Sequence, residues 1–366
     1  MSAIEAGSIT AFYLFDVAEA IRLPALPGLM ARAGVPARLA PKSTPAYVQY
    51  QQPPLSFDGD TIGAGTLDGF QVRFKVFDYG IVSVGLTRPF SGTWDDLLSA
   101  GYALVEDESF EDRVEAICRQ FVDRVVPALV ERRGTFLKED YLVFGVEALE
   151  RPVPAESLVA EHGSEIALLV RGERRPLSRQ EIAEIFRNSL SYLADDLVVP
   201  TWNSAFIYDT AAGAQAAMEI LEFANSQLLQ FRYYDDLLDV ELARVYGRLQ
   251  HPHWYDAWLG RRYTRAARQI HSLFIDINEL IERTENSLKV VGDVYAARLF
   301  NLVAKRLGLD NWKASVEDKL KALDDIYRFS VEQSSMSRGE FLELTVVVIL
   351  LIELVLFFLG MWGRVT

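Results

Sequence analysis

"FANSQLLQFRYYDDLLDVELARVYGRLQ", residues 223–250, decides how the second half of this chain is built. Together with the residues before it, its apolar positions form one series: Ala214, Ala217, Leu221, Ala224, Leu228, Phe231, Leu238, Leu242, Val245 and Leu249. The steps are three and four residues, apart from the polar position between Phe231 and Leu238. That spacing places the series on one stripe of an α-helix. The polar position is Asp235. A helix over 213–250 is about 57 Å long at 1.5 Å per residue, and its narrow stripe requires a partner. The partner is either a later helix of this chain or another copy. Leu221, Leu228, Phe231, Asp235, Leu238, Leu242 and Val245 are therefore expected at an oligomer interface. A polar residue in such a seam costs stability and sets register, so Asp235 is expected to meet an arginine. Arg232, three and four residues before Asp235 and Asp236, has the spacing for an ion pair within the helix.

Outward from this stretch, His251–Pro252–His253 closes the helix, because proline disfavours helix at the residue before it. A second run, from Tyr255 towards Leu307, carries Tyr263, Ala266, Ile270, Leu273, Ile277, Leu280 and Thr284 on the same spacing. "GLDNW" (308–312) interrupts it, and 313–333 is helical again. Further on, "LTVVVILLIELVLFFLGMW" (344–362) holds one charge, Glu353. At about 1.5 Å per residue it is long enough to span a hydrocarbon core. Its Leu, Ile, Val and Phe residues, at about −0.3 to −0.6 kcal/mol each, outweigh one carboxylate. Arg338, Glu343, Glu353 and Trp362 are the expected membrane-interface residues. The expected location is the cytoplasmic membrane, with one C-terminal span and the bulk of the chain cytoplasmic.

Before Ala212 the pattern is mixed. "ITAFYLFDV" (9–17) reads as a strand, and the seven prolines between 24 and 54 read as a long loop with a short helix near 24–33. "FQVRFKVFDYGIVSVGLTRPF" (70–90) alternates on both sides of Asp78–Tyr79–Gly80, which predicts a hairpin. Phe110, Val114, Ile117, Phe121, Val125 and Leu129 predict a helix over 109–132. "DYLVFGVEAL" (140–149) and "EIALLVRG" (165–172) read as strands. "SRQEIAEIFRNS" (178–189) opens with a capping-box pattern. "LSYLADDLVVPTW" and "NSAFIYDT" read as two more strands. The predicted class is α+β: a two-layer mixed head over 1–211, a long-helix, coiled-coil-like domain over 212–340, and a transmembrane helix over 341–362.

The 366-residue chain carries a net charge of −14. Such a balance argues against general nucleic-acid binding, which needs clustered cations. The densest basic cluster is Arg261, Arg262, Arg265 and Arg268, read as a solvated helix face or a lipid-headgroup contact. One cysteine, Cys118, allows no disulfide within the chain. "GAGTLDG" (63–69) lacks the lysine of a phosphate loop and reads as a turn. His162, His251, His253 and His271 have no metal-ligand spacing. No catalytic residue, metal or cofactor is assigned. An enzymatic alternative would gather Glu147, Asp195, Asp196 and Asp209.

Four segments, "ANSQLLQFRYYDDLLD" (224–239), "RTENSLKVVGDVY" (283–295), "KLKALDDIYRF" (319–329) and "SRGEFLELTVVVILLIELV" (337–355), resemble the "required for meiotic nuclear division" family of domain-of-unknown-function proteins. The most specific part is Arg338 and Leu342–Glu343 before an apolar run containing Glu353. Leu344–Thr345 departs from eukaryotic members, where a tryptophan tends to follow the Leu-Glu pair. The resemblance implies a bacterial member of the family. It also implies a membrane-anchored soluble domain that is often oligomeric, with ribosome or RNA anchoring in mitochondrial relatives. The expected partners are the lipid bilayer, a second copy and an unidentified protein. The function expected is non-catalytic tethering.

Overall fold

The computed structural model describes residues 3–30, 35–36, 53–250, 274–275, 277–282 and 294–362; in the last helix, side chains beyond Arg328 are described only from Val346 to Leu354. The chain divides into two compact units, one of Met1–Tyr233 with Leu280–Lys313 and one of Tyr234–Glu279 with Ala314–Thr366. The boundary expected at 211/212 thus falls inside the first unit.

The first unit is built on one nine-stranded sheet of order β2-β3-β5-β6-β1-β7-β9-β8, with β4 paired to β5. The strands are β1 Ile4–Ile21, β2 Val35–Pro36, β3 Leu55–Asp58, β4 Thr66–Leu67, β5 Phe70–Val76, β6 Ile81–Gly92, β7 Leu129–Leu149, β8 Leu197–Pro200 and β9 Ser204–Tyr208. All neighbours are antiparallel except β7 and β9, which run parallel. Parallel pairing requires a crossover, and the chain between these strands supplies one in α4 (Ala155–Arg171), α5 (Arg179–Arg187) and β8. The mixed α+β class read from the sequence holds. The hairpin at 70–90 holds too: Gly80 turns it at φ +87°, and a Cβ there would lie 1.9 Å from the Ala18 carbonyl oxygen.

The sheet is buried on both faces, so this unit has three layers where two were expected. Successive side chains of a strand point to opposite faces. Ile9, Ala11, Tyr13, Phe15 and Val17 of β1 share a core with Phe74 of β5, Phe144 of β7 and Phe206 of β9. That core is closed by α1 (Leu26–Leu29), α2 (Trp94–Glu106), α3 (Glu108–Val125) and α4, through residues such as Leu26, Leu97, Phe121 and Ile166. The other face carries buried Phe12, Leu14, Ile81, Tyr141, Val143 and Ile207. Over it lies the first part of α6 (Ala211–Gln250), tied to β5 by Lys75–Glu222 and to the following turn by Tyr79–Ser226. Also in this layer is α7 (Val294–Leu307), which meets α6 through Phe223 and Phe300, with ring centroids 5.7 Å apart.

Several elements differ from the sequence reading. "EIALLVRG" lies in helix α4, not in a strand. Leu158, His162, Ile166 and Leu169 recur at helical spacing and are buried, and a short apolar window does not separate a buried helix from a buried strand. Helix α2 has no counterpart among the predicted elements; Thr93 starts it with a reciprocal capping box to Asp96. Helix α3 stops at Val125, and after a short turn with Pro127, Leu129 opens β7. Ser178 does cap α5, accepting from the Glu181 N–H at 3.1 Å, but the Glu181 carboxylate turns to Arg171. Residues 191–196 are loop ahead of β8.

The helix read over 213–250 is present as α6. Gly308, at φ +68°, separates α7 from α8 (Leu309–Trp362), where "GLDNW" predicts a break. Of the expected second seam, Tyr263, Ala266, Ile270, Leu273 and Thr284 lie outside the described residues, while Ile277 and Leu280 are buried. Among the described residues no helix is long and apolar enough to cross a membrane.

Candidate functional site

The layer between the sheet and α6 gathers most of the first unit's buried polar chemistry. Thr210 starts α6, its Oγ1 accepting from the Gly213 N–H at 3.3 Å. Three turns later the helix buries Glu222, Asn225, Ser226 and Gln227. Each needs a hydrogen-bond partner to offset the loss of water. Glu222 receives Lys75 of β5, whose side chain is 12% exposed. The Ser226 and Tyr79 hydroxyls are 2.8 Å apart, and Gln230 donates to the Tyr79 carbonyl at 3.1 Å. Asn225 donates to the Leu221 carbonyl at 2.8 Å, while its Oδ1 has no hydrogen-bond partner among the described residues. These ties fix the rotation and register of the helix on the sheet.

One turn further, Arg232 pairs with Glu139 of β7. Arg232 was expected to pair with Asp235 or Asp236; its position in the sheet-facing layer sends it to the strand instead. Burial pushes the Glu139 carboxyl up, against the pull of Arg232.

Beside that pair stands the most perturbed of the described carboxylates, Asp16 of β1. It is buried, and burial raises its pKa to about 6 in spite of the Arg133 guanidinium. Arg133 Nε donates to Asp16 Oδ1 at 2.7 Å, whereas Oδ2 has no partner among the described residues. Arg133 reaches this position through an irregularity in β7. Between the pairs Asp16–Leu137 and Ala18–Arg132, β1 has one residue, Val17, and β7 has Arg133, Gly134, Thr135 and Phe136. A bulge re-aims side chains: Phe136 packs with Phe15 in the core under α3, and Arg133 turns to the α6 face. Glu131, two residues earlier, has φ +46°, a conformation seldom held without a surrounding constraint. The other end of the guanidinium donates to the Tyr233 hydroxyl of α6 at 2.7 Å and lies 3.6 Å from that ring's centroid. Asp16, Arg133 and Tyr233 are distant in sequence, and no motif joins them.

In the second unit Asp235 is buried, and its partner is not an arginine. Lys319 of α8 lies 2.8 Å from Asp235 and 2.7 Å from Asp239, and the Ser315 hydroxyl donates to Asp235 at 2.7 Å. Burial depresses the Lys319 pKa, but the hydrogen bonds and charges of the two carboxylates outweigh it and hold the amine above its usual value. The polar seam position is thus matched within this chain. Leu221, Leu228, Phe231, Leu238 and Val245 are buried by the chain itself and Leu242 is half-buried. Of the two partners the seam could have, a later helix of this chain supplies the one at Asp235.

The acids of the enzymatic alternative are brought partly together. Val146 of β7 and Leu197 of β8 both pair with Tyr208 of β9, so Glu147, Asp196 and Asp209 follow at one end of three adjacent strands. Asp196 is occupied by the Tyr192 and Leu193 N–H groups at 2.6 and 2.8 Å, and Asp209 accepts from Thr210 at 2.6 Å. Asp195 is exposed. Among the described residues no group of three or more His, Cys, Asp or Glu could hold a metal ion. His162 stacks on Trp94 at 4.4 Å, and Cys118 is buried. Gly63 and Gly69 take positive φ, as the turn reading of 63–69 requires. His251, His253, His271 and the arginines 261, 262, 265 and 268 lie outside the described residues. So do the side chains of Arg338, Glu343 and Trp362; Glu353 is exposed.

The family model that matches the chain is "Uncharacterized protein MJ0711, N-terminal domain", over residues 6–215. The chain belongs to the MJ0711 N-terminal domain family. A curated relative, "Uncharacterized protein MJ0711" of Methanocaldococcus jannaschii, is 24% identical over 258 residues, covering 69% of this chain and 77% of the relative. That relative is archaeal, not bacterial. No solved structure matches. The MJ0711 family match takes in the sheet, Asp16 and Arg133, and ends in the first turn of α6. The segments resembling the "required for meiotic nuclear division" proteins all lie beyond it.

Proposed function

We propose that this protein is a membrane-anchored, non-catalytic structural protein that presents its α+β unit to a protein partner. One observation carries the reading. Residues Val346 to Leu354 form nine consecutive positions of α8, eight of them apolar, and those eight are 45% to 58% exposed. An uncovered apolar run of this kind marks a surface that meets a membrane or another protein. The sequence extends it to nineteen residues, 344–362, the length about 20 residues of helix need to span a bilayer. The "required for meiotic nuclear division" resemblance supports the same reading, with the bulk of the chain on the cytoplasmic side.

Self-association belongs to this proposal through the same segment, since the α6 seam is covered by the chain's own residues. Glu353 stands inside the apolar run. Acids at membrane depth usually face a protein interior, and a partner span would provide one.

The test is fractionation. Full-length protein should remain with membranes through high-salt and alkaline carbonate washes, and a chain ending at Gly339 should stay in the supernatant. Release of the full-length protein by salt, or pelleting of the shortened one, would contradict the anchor.

A further inference from the structure

We propose that Asp16, Arg133 and Tyr233 form a proton-operated latch that fastens α6 to the β7 bulge, closed when Asp16 is ionised and open when it is protonated. The argument begins with geometry. Arg133 is the only one of the three that touches both others, through Nε to Asp16 and through the far nitrogen and the guanidinium face to Tyr233. Its side chain is 20% exposed, whereas that of Asp16 is 6% exposed. The cation can therefore swing towards water while the carboxyl group stays enclosed. Arg133 also sits on the four-residue excursion of β7, where the β1–β7 ladder is interrupted. Movement there disturbs few ladder bonds.

Chemistry gives the direction. An ionised Asp16 is the counter-ion that keeps Arg133 in its half-buried place. A protonated Asp16 offers no charge, and a buried cation without a counter-ion is costly. Arg133 then turns outward, and the hydrogen bond and ring contact to Tyr233 go with it. The unpartnered Oδ2 is where the proton would sit. The carboxyl, raised by burial to about 6, titrates within the physiological range.

The surrounding groups do not supply the same response. Glu19 of β1 acts on Tyr233 as a further negative charge. Arg232 and Glu139 engage each other one pair along. In the β5–β6 turn the Tyr79 hydroxyl is held at Ser226, and the Asp78 carbonyl accepts from the Ile21 N–H. Glu139 is also raised by burial, so the experiment must separate it from Asp16.

Hydrogen exchange on the full chain does so, read at the backbone amides of 133–136 and 228–233 and corrected for the intrinsic effect of pH. Between pH 7.5 and pH 5 protection at these amides should fall about tenfold, as local opening does when one tie is lost, with a midpoint near 6. Protection elsewhere in the sheet, and the denaturation midpoint, should not fall over the same interval. Asp16→Asn should show the low protection at both pH values, while Glu139→Gln should keep the wild-type response. Tyr233→Phe should lower protection at pH 7.5 in 228–233. A flat wild-type profile, a midpoint near that of an ordinary aspartate, or an Asp16→Asn variant that keeps the pH response would overturn the latch. The wild-type profile decides alone if the variant does not fold.

Discussion

The two faces of the central sheet use the same strands and reach burial by different means. Under α2, α3 and α4 the contacts are apolar: Phe74 stacks on Phe121 at 4.3 Å, Phe57 lies 6.0 Å from the same ring, and Val114, Cys118 and Val122 are buried in the same core. Under α6 the apolar contacts are interrupted by Lys75–Glu222, Tyr79–Ser226, Arg232–Glu139 and Asp16–Arg133–Tyr233. The first face derives its stability from area removed from water, which is not directional. The second uses bonds that hold in one register only, and each carries a desolvation cost. The contrast separates a face that supplies adhesion from one that supplies position and response to pH.

The sharpest way to break the comparison is to empty the apolar face. Phe121→Ala should cost about 4 kcal/mol, because it removes a buried ring and leaves a cavity, as measured by denaturant unfolding of the head. A cost below about 1 kcal/mol would mean that the ring's surroundings are not close-packed.

On the opposite face, Glu222→Ala removes the carboxylate that Lys75 touches, leaves only the neighbouring Glu219 as a counter-charge, and should cost about 3 kcal/mol. Replacing both residues with apolar ones of similar volume should recover most of that loss. If the double replacement is as damaging as the single, the pair supplies net stability and not register.

Asp16 gives the next effect, and its sign is opposite to that of an ordinary paired aspartate. Its folded pKa, about 6, lies above the reference value of 3.8. Folding therefore takes up a proton between these values. The associated stability is fully present below pH 4 and is lost as pH rises through 6. Two pKa units correspond to about 3 kcal/mol. Wild-type stability should carry this slope, and Asp16→Asn should flatten it, as read from unfolding free energies at pH 4.5 and 7.

The smallest effect belongs to the second unit. Asp235→Leu removes the partner of a partly exposed lysine that keeps Asp239, and should cost about 1 kcal/mol. Light scattering should show the same particle mass in both proteins, because the clasp lies within one chain.

Much of this architecture was legible. The hairpin at 70–90, helix α5 and the long helix α6 follow from alternation, a cap and a three–four spacing. The three-layer arrangement was legible in principle. "ITAFYLFDV" has apolar residues at nearly every position, which is the pattern of a strand covered on both sides. What misled was length. A run of eight residues at 165–172, six of them apolar or small, fits a strand and a helix equally, and only burial of Leu158 and His162 upstream separates them. Asp235 was visible because it interrupts a regular series. Its partner was not, since Lys319 lies 84 residues away and belongs to no series. Asp16 was hidden for a related reason: its significance comes from a bulge more than 110 residues later, and irregular pairing leaves no period to read.

The proposed anchor places residues 344–362 in a bilayer. The direct test is a spin-label scan in the full chain, one cysteine at a time from Val346 to Leu354 with Leu350→Cys at its centre, reconstituted into phospholipid vesicles; Cys118 is buried and does not compete. Collision with oxygen should exceed collision with a water-soluble nickel complex, with the greatest depth at 350–353 and a periodic change along the helix. Equal access to the nickel complex across 346–354, with or without vesicles, would contradict the anchor.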